Sequence, residues 1–116
     1  MNILLVTDEL LSGGVSRYVV DIANALCERG KSVTVAATDG PYRRQLLSSV
    51  RFLPLPLLKE NSYKKQITGF PRSLFILLQH LHHQKYDIIH SQKRYSDILA
   101  RIVSRVYRIP HISTCH

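Results

Sequence analysis

Residues 2–37 read NILLVTDELLSGGVSRYVVDIANALCERGKSVTVAA, and this stretch decides the fold. Asn2 to Val6 and Ser32 to Ala37 are short, nearly continuous apolar runs, the pattern of strands covered on both faces. Between them Val15, Tyr18, Val19, Ile22 and Leu26 recur at i, i+3, i+4, i+7 and i+11, which is one face of a helix. Gly30 then supplies the left-handed residue that ends it. A strand, a crossover helix and a second strand make a parallel unit, and the crossover is right-handed.

The same alternation runs outward to the end of the chain. Arg51 to Leu55, Asp87 to Ser91 and His111 to Thr114 repeat the strand pattern. Helical patterns lie at Tyr42 to Ser49 behind Pro41, from Pro71 through Leu74, Phe75, Leu77, Leu78 and Leu81, and at Ile98, Leu99, Ile102, Val103 and Val106. Five strands separated by four helices imply an α/β fold, a Rossmann-like doubly wound parallel sheet with the expected order 3-2-1-4-5. Pro56 to Phe70 reads as a long irregular loop, the kind that is usually functional or mobile.

In such a sheet ligands bind beyond the carboxyl ends of the strands, where the chain reverses direction between strands 1 and 4. Two loops therefore matter most, Thr7 to Gly14 and Gln92 to Tyr95, with Cys115 and His116 leaving strand 5 nearby.

With 116 residues the chain has room for one domain. Its 45% apolar and 21% charged residues are globular in balance and exclude wholesale disorder. A net charge of +8 and a pI near 9.9 favour an anionic partner, whether nucleic acid, phosphorylated ligand or acidic membrane. Cys27 and Cys115 stand too far apart in sequence for a metal-ligand pair or a disulfide framework, which fits a reducing cytosol. Met1 to Val6 has no basic region ahead of an apolar stretch, and no apolar run reaches spanning length. The expectation is a cytoplasmic protein without signal peptide or membrane span.

Ser12, Gly13 and Gly14 open the first helix. Free backbone N–H groups and the positive dipole end attract an anion there, side-chain-free residues let a phosphate approach closely, and Arg17 adds charge in the first turns. The run is neither G-x-G-x-x-G nor a P-loop, and a tight turn alone would also use it. His80 and His83 share a helix face without a carboxylate or cysteine, so a solvated helix end is favoured over metal binding. His90, inside strand 4, is expected to satisfy a backbone group. His116 at the strand 5 end could hydrogen-bond a sugar hydroxyl, or could be structural. Arg94, Arg101, Arg105 and Arg108 form a basic stripe that reads as the solvated face of the last helix, and no nucleic-acid-binding motif accompanies it. Motifs of hydrolytic catalysis are absent. Asp8 and Glu9 lack the further aspartate a phospho-receiver needs after strand 3, which ends Leu53-Pro54-Leu55.

Taken together, Asn2 to Val6, Gly13-Gly14-Val15 with the helix Tyr18 to Leu26, Glu28 to Val35, Tyr86 to Ser91, and Ile109 to His116 resemble the amino-terminal part of a GT-B glycosyltransferase. The likeness is to the family 4 (group 1) retaining enzymes and spans the whole chain. It implies transfer of a sugar from a nucleotide-diphosphate sugar to a glycan or lipid-linked acceptor, with retention and without metal or other cofactor. Gly13 and Gly14 match the glycines whose backbone meets the donor diphosphate, and His116 matches the histidine reaching the transferred sugar. Arg17, Gln92, Arg94 and Tyr95 fall to the acceptor or anion side, Gln92 standing where the family often has a second histidine. The resemblance also implies that the donor-binding carboxyl-terminal domain lies outside residues 1–116, so that these residues alone are inactive. Lys59, Lys64, Lys65 and Arg72 are candidates for meeting an anionic membrane surface, and nucleic acid is not an expected partner. The alternative is a noncatalytic nucleotide- or anion-binding Rossmann-like module.

Overall fold

The computed structural model describes residues 1–10, 13–55, 63–92 and 94–114. In chain order the elements are β1 (Asn2–Glu9), α1 (Gly13–Glu28), β2 (Ser32–Thr38), a short 3₁₀ helix (Pro41–Gln45), β3 (Arg51–Pro54), α2 (Tyr63–His83), β4 (Ile88–Ser91), α3 (Arg94–Tyr107) and β5 (His111–Ser113). All four strand pairings are parallel, and the sheet order is β3-β2-β1-β4-β5, as the alternation of apolar runs implies.

Each face of the sheet has its own core. Ile3, Leu5, Val33, Val35 and Ala37 pack against Val19, Val20 and Ala23 of α1. Leu4, Val6, Ala36 and Ile89 pack on the other face against Leu77 and Leu81 of α2 and Leu99, Ala100 and Val103 of α3. Alternation along β1 thus feeds both layers. Helix α1 ends as the sequence requires. Gly30 has φ +85°, its N–H bonds the Cys27 carbonyl and the Lys31 N–H bonds that of Leu26. Helix α3 closes the same way with Arg108 at φ +55°, and the Ile109 N–H reaches the Ser104 carbonyl.

Three sequence expectations change. The segment behind Pro41 is a single 3₁₀ turn, so the described residues hold three α-helices where four were expected. Pro71 lies inside α2 and does not begin it. The expected loop from Pro56 to Phe70 is helical from Tyr63 onward, while residues 56–62 lie outside the described part. Pro71 is exposed, and its missing N–H withdraws one bond from the helix ladder without exposing core.

Candidate functional site

Sheet order makes β1 and β4 neighbours where the chain changes direction, and their carboxyl ends border the crevice. Pairing between β1 and β2 runs Val6↔Ala36 and then Glu9↔Thr38, so β1 carries one extra residue at Thr7 and Asp8. A bulge of this kind re-aims side chains beside a site. Its effect is visible in the core, where odd residues Ile3 and Leu5 face α1 before it and the even residue Leu10 joins them after it.

Asp8 is 4% exposed, and its Oδ1 accepts the Ser96 N–H of the first turn of α3 at 2.8 Å. A buried carboxylate is costly unless paired, and here it meets the positive end of a helix dipole. The start of α3 is therefore occupied from within the protein. Thr7, fully buried beside Asp8, carries a hydroxyl that has no hydrogen-bond partner.

Strand β4 leaves the sheet through two polar clusters, one on each face. Toward the α1 face, the buried Gln92 amide lies 3.2 Å from His90 Nε2, and His90 Nε2 also meets the Thr114 hydroxyl. Toward α3, the buried Ser91 hydroxyl donates to Asp97 Oδ1 at 2.5 Å and lies 2.6 Å from His111 Nε2. With its proton given to Asp97, the Ser91 oxygen is left to accept, which suits the neutral His111 tautomer that carries its hydrogen on Nε2. Burial pushes the His111 pKa below its usual 6.5; Asp97 opposes that shift and Arg101 adds to it. Backbone bonds from Gln92 N–H to Val6 O and from Thr114 N–H to Ser91 O join β1, β4 and β5 at this edge.

Gly13 and Gly14 form the first turn of α1, on the crevice side of β1. Arg17 is exposed on that helix. Gln92 is 2% exposed and turned to His90. Arg94 and Tyr95 belong to the first turn of α3 and not to a loop. Lys64 and Lys65 belong to the first turn of α2, and Arg72 is exposed further along it. Lys59, Cys115 and His116 lie outside the described residues. His90, expected to satisfy a backbone group, meets the Thr114 hydroxyl and the Gln92 amide among its partners. His80 is not simply solvated: it meets the Tyr86 hydroxyl at 2.6 Å, and that hydroxyl donates to Thr34. Burial, then Arg51, lowers the His80 pKa.

Sequence reasoning passed over Ser91, Asp97, His111 and Thr114 as site-forming residues and took Thr7 only as the start of a crevice loop. One available signal was Asp8, which with Thr7 and Glu9 interrupts the apolar residues from Ile3 to Leu11, since a charge in a central strand needs a partner.

A five-stranded parallel sheet with this order and a polar switch-point crevice defines a Rossmann-like domain of the kind found in GT-B glycosyltransferases. The family model for Glycosyltransferase Family 4 matches residues 12–116, and the chain belongs to that family. No curated protein matches. Sucrose-phosphate synthase from Thermosynechococcus elongatus superposes with a TM-score of 0.79 at 16% identity, covering 99% of this chain and 33% of that one. A ugt transferase from Siraitia grosvenorii, solved in complex with UDP, gives 0.65 at 14% identity over 97% of this chain and 27% of that one. The C-terminal domain of a Pyrococcus furiosus hydrogenase gives 0.71 at 16% identity over 97% and 90%. At these identities the likeness is one of fold, and fold alone does not choose an activity. The chain spans about a third or less of the two transferase structures.

Proposed function

We propose that these residues form the acceptor-side, amino-terminal part of a retaining glycosyltransferase. It moves a sugar from a nucleotide-diphosphate sugar to a glycan or lipid-linked acceptor, at the cytoplasmic face of an anionic membrane. The observation that carries this reading is the Gly13-Gly14 start of α1 beside the β1/β4 switch point, in a chain belonging to Glycosyltransferase Family 4. Two helix starts border the crevice, and that of α3 already holds the Asp8 carboxylate. An incoming diphosphate is then assigned to α1, whose first residues carry no side chain to obstruct it.

In the reaction, the bond from the anomeric carbon to the diphosphate oxygen breaks. The acceptor oxygen bonds that carbon on the same face, and its proton leaves with the diphosphate. Within this chain, the amides at Gly13 and Gly14 receive phosphate charge and His116 orients the sugar and acceptor. Cationic groups for the leaving diphosphate belong to a second domain, so residues 1–116 alone do not turn over. Transfer from a panel of nucleotide-diphosphate sugars tests the reading in the longer protein that carries this chain. Gly14→Trp should abolish transfer while thermal unfolding stays near wild type. Unchanged transfer in Gly14→Trp would reject the diphosphate assignment, and turnover by the 116-residue chain would reject the division of labour.

A further inference from the structure

One feature of the carboxyl edge plays no part in the diphosphate assignment. Between β2 and β3, Asp39, Gly40, Pro41, Arg43, Arg44 and Leu46 line an open hollow of about 770 Å³. It begins where β2 leaves the sheet, and the Tyr42 N–H bonds the Leu10 carbonyl, tying this segment to the one that leads into α1.

The backbone of the wall is anchored to α1. Asn24 of α1 donates to the Gln45 carbonyl and accepts from the Leu47 N–H, both at 2.8 Å, so the 3₁₀ turn is pinned from both sides of its end. Arg43 is fixed from two directions. Its guanidinium carbon lies 4.5 Å from the Phe52 ring centroid, and its Nη1 meets Asp39 Oδ2 at 3.0 Å. Asp39 spends its other oxygen on the Gly40 N–H at 2.8 Å, so both carboxylate oxygens are engaged. Arg44, next along the wall, is exposed and has no acceptor assigned to it among the described residues. A held fork beside an uncommitted one, with Pro41 and Leu46 as apolar floor, is suited to an anionic oxygen cluster carried on a partly apolar body.

We propose that this hollow binds the phosphate group of a phosphorylated sugar or lipid, with Arg44 as the principal contact and Arg43 as the pre-set second. The proposal rests on the glycosyltransferase reading and deepens it, since it makes the acceptor a phosphate-bearing one. The same chemistry comes from a soluble sugar phosphate or from a lipid headgroup, and the test separates them.

Amide shifts of the ¹⁵N-labelled chain are followed while adding glucose 1-phosphate, glucose, or bicelles containing phosphatidic acid. Residues Asp39 to Leu46 should shift with glucose 1-phosphate and not with glucose; a shift with the bicelles alone assigns the site to lipid phosphate. Arg44→Ala should weaken binding roughly five- to tenfold, and Arg43→Lys, which keeps the charge but loses the fork, should weaken it less. Arg105→Glu, a larger charge change on the exposed face of α3, should leave it unchanged. No shift with either phosphate source, or equal binding in Arg44→Ala and wild type, overturns the proposal. Failure of the Gly14→Trp transfer test would leave this titration untouched, so the two readings fail separately.

Discussion

Asp8 is the residue on which the crevice turns. Its carboxylate links the end of β1 to the first turn of α3, and removing it leaves the Ser96 N–H and the helix dipole without their partner. Asp8→Ala is expected to destabilise the domain by about 1–2 kcal/mol, read as a melting-temperature drop of several degrees. An unchanged melting temperature would mean that water replaces the carboxylate at no cost. His80 makes a second residue-scale prediction. Its folded pKa lies below the unfolded value of 6.5, chiefly through burial, so the unfolded chain binds the proton more tightly. Stability is therefore full above that value and is lost as pH falls from about 6.5 through the lowered folded pKa, and the shift at His111 has the same sign. Thermal unfolding between pH 7.5 and 5 should show this decline, with a shallower slope in His80→Asn; an equal slope would exclude His80 as a contributor.

Among the elements, α2 shows best what the sequence made legible and what it hid. Its second half was readable because Leu74, Leu77, Leu78 and Leu81 keep the helical period, and Leu77 is fully buried among Leu4, Val6 and Leu99. Leu77→Ala should cost about 2–5 kcal/mol in a denaturant titration, and a loss below about 1 kcal/mol would show that the layer collapses around the gap. The first half was read as loop because its apolar residues are scattered among lysines and polar side chains and Pro71 suits a first helical position, although Tyr63, Ile67, Phe70 and Leu74 also follow i, i+4, i+7 and i+11. Propensity lost to continuity with a well-packed half. The central strands β1 and β2 were legible for a simpler reason, since being covered on both faces makes them largely apolar, whereas the edge strands β3 and β5 are short and partly exposed. The bulge at Thr7 and Asp8 was not legible, because a single extra residue changes which face the following residues take without leaving a mark of its own in the residue types. The polar clusters around Ser91 and His90 join residues from β4, α3 and β5, and pairing across elements is set by topology and not by local spacing.

The whole molecule carries a net charge of +8, and among the described residues no helix is long and apolar enough to cross a membrane. Lys64, Lys65 and Arg72 sit on the half of α2 that precedes its core-packed leucines. Each near-surface cation contributes on the order of 1 kcal/mol toward anionic lipid before screening. Sedimentation with phosphatidylglycerol vesicles should show binding that falls with salt and with Lys64→Glu, Lys65→Glu and Arg72→Glu together. Equal binding to neutral vesicles would reject the electrostatic account. The larger proposal, that this domain presents the acceptor side of a sugar transfer, gives a role in the reaction to His116, three residues after β5 in sequence. The decisive measurement pairs kcat/KM with thermal unfolding for His116→Ala in the longer protein. Loss of a contact made as charge develops should cost about 2–4 kcal/mol of barrier, roughly 30- to 1,000-fold in rate, with the melting temperature held within a few degrees. Near-normal transfer, or a melting temperature lowered by many degrees alongside the lost rate, would contradict it.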